Sequence, residues 1–213
     1  MIRPTAVLIT LLASLLMLAS CSSPDTPAKK TAEEAKPAAP AGPPSTGVYK
    51  VLMTTSKGDI TIEVHRDWAP IGAQRFYELV QEGYYNNARF FRYVPNFVIQ
   101  FGLAADPEMT KKWDKQIPDD PVTHTNRTGS LSFATAGPNT RTAQVFINLR
   151  TNQGLDDQGF APFAQIVDGS QVVDKIYGGY GEQPNQDAIQ TQGNAYLLKN
   201  YPRLDYIRTA KLI

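Results

Sequence analysis

From Ser22 to Thr46 the chain carries almost no large apolar side chain, and this stretch decides where a fold can begin. Pro, Ala, Ser and Lys dominate it. Such a composition cannot bury enough apolar surface to offset the entropy of ordering the backbone. It predicts an extended, semi-stiff tether. A core must therefore be built from Gly47 onward. Residues 47–213 are one domain's worth of chain, long enough for a sizeable core.

The segment ahead of the tether is read as a processed leader. Met1-Ile2-Arg3 supplies one positive charge, and Ala6 to Leu18 is an apolar run too short and wrongly flanked for a membrane span. The run ends in Leu18-Ala19-Ser20-Cys21, which resembles the lipobox of bacterial lipoproteins. That resemblance implies a signal peptide over residues 1–20, lipidation of Cys21, and a lipidated tether over 21–46. Cys21 is the single cysteine of the chain, so the reading accounts for the whole cysteine inventory. It places the domain in the cell envelope, touching membrane through the N-terminal lipid alone. Ser22, not Asp, follows the cysteine, which implies an outer membrane facing the periplasm in a Gram-negative cell. In other cells the outer face of the cell membrane is implied. An ordinary secretory leader is the competing reading, and both readings export the domain.

The charge balance, with 21 basic and 20 acidic residues and a net charge of +1, gives no reason to expect nucleic acid as a partner. His65 and His124 are the two histidines, and they lack metal-ligand spacing; both read as surface residues. No metal or cofactor is expected. Asp119-Asp120 lies between Pro118 and Pro121 and reads as a solvated turn. Asn126-Arg127-Thr128 fits a glycosylation acceptor pattern, taken as chance beside a lipobox-like leader.

From Gly47 on, strand signals dominate. Val48 to Thr55 and Asp59 to Val64 flank a hairpin signal at Ser56-Lys57-Gly58. Further strands are expected over 89–94, 98–101, 130–134, 144–149, 163–167 and 204–212. Pro70 suits a helix's first turn, Phe76, Leu79 and Val80 follow at helical spacing, and Gly83 is a stop. A second helix is expected over 170–177, and 178–193 reads as polar loop. Many strands with two separated helices predict a mainly β protein, a closed barrel capped by two helices.

Two stretches carry chemistry: Phe91 to Gly102, FRYVPNFVIQFG, and Phe133 to Asn148, FATAGPNTRTAQVFIN. Each sets a few polar side chains among aromatic and small residues, with no nucleophile and no acid cluster. Such a site binds an apolar, uncharged group, which points to recognition of something like a prolyl peptide. A two-residue turn at Pro95-Asn96 would place Arg92 opposite Ile99. A three-residue turn, Pro95-Asn96-Phe97, pairs Arg92 with Gln100 and Val94 with Val98. The second register is preferred because it puts the polar groups on one face. Gln144 and Phe146 share a face by the period of two.

The segment Phe91-Arg92-x-x-Pro95-x-Phe97-x-x-Gln100 resembles the cyclophilins. So do Ala134-x-Ala136-Gly137-Pro138-Asn139-Thr140 and Gln144-x-Phe146-Ile147-Asn148, and the likeness runs over residues 48–213, with Leu155-Asp156 and Phe163. It implies a peptidyl-prolyl cis-trans isomerase on an eight-stranded antiparallel barrel closed by two helices. It implies Arg92 as the catalytic arginine, supported by Gln100. Phe97, Val98, Phe146 and Leu155 match walls of the proline pocket. Ala134, Thr135 and Ala136 match the stretch that meets the substrate backbone, and Gln144 another polar contact. Phe160 falls where many members have histidine, Gly154 where a pocket tryptophan is frequent, and Thr135 where asparagine is common. The implied partners are proline-containing peptides and unfolded exported proteins, met by a monomer. A non-catalytic proline-peptide-binding module, or holdase, is the alternative that the altered Gly154–Phe160 wall prompts.

Overall fold

The structure is a computed structural model that describes residues 47–213; the leader, Cys21 and the tether lie outside the described residues. Strands β1 (Val48–Thr55) and β2 (Gly58–His65) form a hairpin, with Thr55 paired to Gly58 across the Ser56-Lys57 turn. Their burial alternates residue by residue, so Val51, Met53, Ile60, Ile62 and Val64 face inward. Helix α1 (Pro70–Gln81) follows, then the short strands β3 (Arg92–Val94) and β4 (Val98–Phe101) and helix α2 (Pro107–Trp113). Strands β5 (Ser130–Phe133), β6 (Val145–Asn148) and β7 (Pro162–Asp168) precede helix α3 (Ser170–Val173), helix α4 (Gln186–Asn200) and strand β8 (Ile207–Leu212).

All eight strands join one antiparallel sheet, in the order β3-β4-β6-β5-β7-β2-β1-β8. The sheet is an open half-barrel, which corrects the expectation of a closed one. Strands β3 and β8 end it, and among the described residues no ladder joins them. The gap is crossed by irregular chain: Asn87 and Phe90 N–H groups donate to Ile207 and Asp205 carbonyls at 2.7 and 3.0 Å, and Ile207 N–H donates to Ala88 at 2.9 Å. Arg89 and Tyr206 form an isolated bridge there. Asn87 takes a positive φ of 62°, which breaks the extended run that a closing ladder needs.

The core fills the concave face. Phe76 and Leu79 of α1 meet Tyr85, Phe101, Phe133 and Phe163, with ring centroids 5.0–5.4 Å apart in the pairs Phe76–Tyr85, Phe76–Phe163 and Phe133–Phe163. Tyr84 and Tyr85 hydroxyls donate to Gly102 and Ala143 carbonyls at 3.1 and 3.0 Å. Burial pushes the Tyr84 hydroxyl up to about 12.

The helices depart most from expectation: among the described residues four α-helices, with a short helical turn at Gln153–Leu155, replace two. The helix expected over 170–177 stops at Val173; the chain leaves it where Tyr177 N–H donates to Asp205 Oδ2 at 2.7 Å. Part of the loop expected over 178–193 is instead α4. Asn185 caps it by accepting from Ala188 N–H at 2.8 Å, but within it the buried residues are Ile189, Gly193 and Leu197, too few to give an apolar stripe. At Gly193 the backbone breaks, with φ 56° and ψ −140°, and a Cβ there would overlap the Ala105 carbonyl oxygen. Glycine is needed at that crossing of α4 over the start of α2.

Asp120 is not in a solvated turn. Its side chain is fully buried, accepts from Ile71 and Gly72 N–H at 2.9 and 2.8 Å, and pairs with Arg141 Nη1 at 3.0 Å. It thus caps α1, whose own preceding residue, Ala69, has no side chain to do so. Asp120→Ala would orphan the two helix amides and take one of the carboxylates from Arg141, which keeps Asp119 and the Pro118 carbonyl. We predict a loss of about 1–3 kcal/mol in denaturant unfolding; a loss near zero would show that the cap and the ion pair carry no weight.

Candidate active site

The strand register sets the site. A three-residue turn joins β3 to β4, with Arg92 opposite Gln100 and Val94 opposite Val98, as the preferred register expects. Pro95 supplies the fixed φ, Asn96 takes φ 56°, and Phe97 N–H donates to Val94 at 3.0 Å, a type II arrangement. Across the next ladders Gln100 pairs with Phe146, and Phe146 with Ser132. Arg92, Gln100, Phe146 and Ser132 therefore form one row on the outer face. Tyr93 and Ile99 pair in the next row, followed by Ile147 and Leu131, and Ile99, Ile147 and Leu131 belong to the core.

On the outer face lies a groove of about 420 Å³. Every site residue read from the sequence in this domain lines it. Val98, Phe146 and Leu155 are buried together as an apolar floor, separate from the main core, with Phe97, Ala134 and Phe160 packed against it. Phe160 meets Phe146 edge-on, at 5.6 Å between centroids and 72° between planes. Arg92, Gln100 and Gln144 form the polar side: Arg92 Nη1 donates to Gln100 Oε1 at 3.2 Å, and Gln100 Nε2 donates to Gln144 Oε1 at 2.8 Å. Thr135 and Ala136 complete the rim, with Thr140, Thr142 and Gln186, which the sequence reading did not include. The Thr135 hydroxyl bonds within its own loop, to the Gly137 carbonyl and to Thr140 Oγ1. The hydroxyl is thereby committed within the loop and away from a ligand. Gly154 precedes Leu155 but does not line the groove, and an added Cβ there would meet nothing within 4 Å.

Three asparagines beneath the groove hold its walls. Asn126 is fully buried; it accepts from Ser132 Oγ at 2.8 Å and donates to Asp156 Oδ1 and to the Phe160 carbonyl, each at 2.8 Å. Asn148 Nδ2 donates to Asn126 Oδ1 at 3.1 Å, and Asn152 Nδ2 donates to Asn148 Oδ1 and to the Phe97 carbonyl at 2.8 and 3.0 Å. One chain of bonds thus links the walls bearing Phe97, Leu155 and Phe160 to β5 and β6. The burial of Asn126 also removes it as a glycan acceptor in the folded chain. That agrees with reading its motif as chance, while nothing local announces the long-range partners.

One residue beside Arg92 escaped sequence reading. Glu182 Oε1 accepts from Arg92 Nε at 2.7 Å and lies 2.6 Å from Nη2. A separation of 90 positions leaves no local signal for this pair.

Comparison with known proteins decides the family. Residues 50–193 match the model for cyclophilin type peptidyl-prolyl cis-trans isomerases. This chain belongs to the cyclophilin family. Peptidyl-prolyl cis-trans isomerase B of Escherichia coli is 37% identical over 138 residues, covering 60% of this chain and 84% of that protein. Peptidyl-prolyl cis-trans isomerase ppi1 of Schizosaccharomyces pombe is 38% identical over 135 residues, covering 59% and 83%. Among solved structures, a Cryptosporidium parvum cyclophilin aligns with a TM-score of 0.58 at 23% identity, covering 78% of this chain and 98% of that one. That likeness speaks for the fold. As a cyclophilin, the chain is a peptidyl-prolyl cis-trans isomerase by kinship.

The cyclophilin groove should depend on the buried asparagines. Asn126→Ala leaves Ser132 Oγ, Asp156 and the Phe160 carbonyl each short of a partner, while Asn148 keeps Ser130, and should cost about 1–3 kcal/mol. Amide exchange over 152–160 should rise first. Unchanged exchange there would mean that the loop holds its shape without Asn126.

Proposed function

We propose that this cyclophilin accelerates X-Pro isomerisation in exported or envelope proteins, with Arg92 stabilising the twisted amide. The observation that carries the reading is a cationic donor held beside an apolar floor in one groove. Rotation about a peptide bond breaks amide resonance, at a barrier of ~18–20 kcal/mol. No covalent bond need be made or broken. The site has to favour the twisted amide over the planar one. In the twisted state the proline nitrogen becomes pyramidal and gains a lone pair, which a guanidinium N–H can meet. Arginine suits this role because it is permanently charged and carries its donors in a rigid fork.

Gln100 orients Arg92 and is itself held by Gln144. Val98, Phe146, Leu155 and Phe97 would take the proline ring, with Phe160 extending that wall. Water excluded by these walls strengthens the arginine's hydrogen bond. The Ala134 N–H already donates to the Gln144 carbonyl at 2.9 Å, so Ala134 would meet a peptide through its carbonyl. A solved Cryptosporidium parvum cyclophilin is described in the presence of the dipeptide Ala-Pro, which supports a proline-containing ligand for this groove.

Arg92→Ala should slow catalysed exchange of a short X-Pro peptide by about 10²-fold, the scale for losing one transition-state donor. Peptide affinity should weaken much less. Exchange spectroscopy with the full chain measures the rate, and titration the affinity. If the unmodified chain binds the peptide yet leaves its exchange rate unchanged, the non-catalytic binding module or holdase becomes the better reading.

The envelope location rests on the lipobox-like sequence ending in Cys21. A lipid on that residue with a polar, Pro-rich tether would hold the groove off a membrane surface. Cys21→Ser should move the protein from the membrane fraction to the soluble fraction after expression in a bacterial host. An unmodified chain already found in the soluble fraction would sink this location.

A further inference from the structure

We propose that Glu182 is a positioning residue for the isomerase, clamping the Arg92 guanidinium so that its remaining donors face the proline nitrogen. This rests on the catalytic reading of Arg92. Glu182 Oε1 sits in the fork of Nε–H and Nη2–H, at 2.7 and 2.6 Å. Gln100 takes one Nη1–H at 3.2 Å. Of the five guanidinium N–H groups, one on each Nη then remains. Two acceptors on different edges of a planar group fix its rotation as one acceptor cannot.

An ion pair this exposed is ordinarily worth little, because ordering two long side chains offsets its attraction. The Glu182 side chain is 58% exposed, against 28% for Arg92. What distinguishes this pair is a carboxylate on backbone that is already fixed. Tyr93 N–H, from the residue beside Arg92, donates to the Gly181 carbonyl at 3.0 Å. Gly181 and Gln183 N–H groups close turns on Gly178 and Tyr180, each at 3.0 Å. The Tyr201 hydroxyl, beyond the end of α4, donates to the Gln183 carbonyl at 3.1 Å. Tyr180 packs edge-on against both Tyr177 and Tyr201, with centroids 5.1 Å apart in each pair. At Gly178 the loop runs so close to Tyr93 that a Cβ would lie 2.7 Å from the ring. The ordering entropy is therefore met largely by the loop's own packing, before the carboxylate meets the arginine.

Glu182 also puts negative charge beside a catalytic cation, which would weaken the arginine's pull on substrate. Positioning should win. A hydrogen bond weakens steeply as its angle falls below about 120°, while the field of a solvent-exposed carboxylate is weakened by the high dielectric of water around it.

Glu182→Ala should lower kcat for X-Pro exchange by roughly tenfold with little change in KM, since the apolar walls are untouched. Glu182→Gln, which keeps an acceptor, should recover part of the loss. In an Arg92→Ala background the Glu182→Ala change should have no further effect. Tyr201→Phe, remote from the groove, should lower kcat in the same sense but less. By NMR, the Arg92 Nε–Hε should exchange faster with solvent in Glu182→Ala. An unchanged or raised kcat, or an undiminished effect without Arg92, overturns the proposal. Should the unmodified chain prove inactive, the catalytic reading fails by itself. Hε protection then tests the clamp separately, and protection equal to that of Glu182→Ala overturns it.

Discussion

Register in the β3-β4-β6-β5 part of the sheet determines where every groove residue points. Side chains alternate with a period of two, so a slip of one residue would carry Arg92, Gln100 and Phe146 into the core and push Ile99 and Ile147 out. Two features pin the register. The Pro95-Asn96-Phe97 turn fixes the β3–β4 pairing by its length and by the positive φ of Asn96. The core-facing row of Ile99, Ile147 and Leu131 makes any slip cost buried apolar surface. The polar row therefore sits where it does chiefly because the apolar row on the opposite face cannot move.

Strands supply only part of the groove. Leu155 and Phe160 lie on a helical turn and loop with no ladder of their own, and Phe97 lies at a turn. The Asn126–Asn148–Asn152 network does for them what a ladder does for a strand. Each amide offers both a donor and an acceptor, so a chain of them can tie irregular backbone to regular backbone without leaving a polar atom unmet. A buried network of this kind costs little when complete and much when broken. It gives the apolar pocket walls a fixed position on a loop.

What was legible in the sequence follows the range of the interaction. The two stretches around Arg92 and Phe146 read correctly in register and in shared face, because turn length and alternation are local. The β1–β2 hairpin read for the same reason. Asp120 did not, since flanking prolines describe its local backbone while its partners, Ile71, Gly72 and Arg141, are brought by the fold. The partners of Asn126 are equally long-range, though its burial agrees with reading its glycosylation-like pattern as chance. Helix α4 was hidden by its polarity: with Ile189, Gly193 and Leu197 its buried residues, it presents no stripe to a periodicity search. The open ends of β3 and β8 were hidden too, because strand count alone does not show whether the last ladder forms.

Catalysed rotation about one bond asks for unequal rigidity, and the groove provides it on the proposed reading. Val98 and Phe146 stand on central strands buried on both faces, so the floor that would receive the proline ring cannot yield. Arg92 is on β3, an end strand half-exposed along its length, where a long side chain would wander without further contacts. Gln100 restrains it from the sheet and Glu182 from a loop braced by tyrosines. The opposite rim, Ala134 to Thr140, is built of small residues on an exposed turn, with its hydroxyls bonded among themselves. Such a rim leaves room for one flank of a peptide to swing while the proline stays seated. An end strand is a poor place for a precise donor, and on the proposed reading the second acceptor on Arg92 is what would let this fold keep one there.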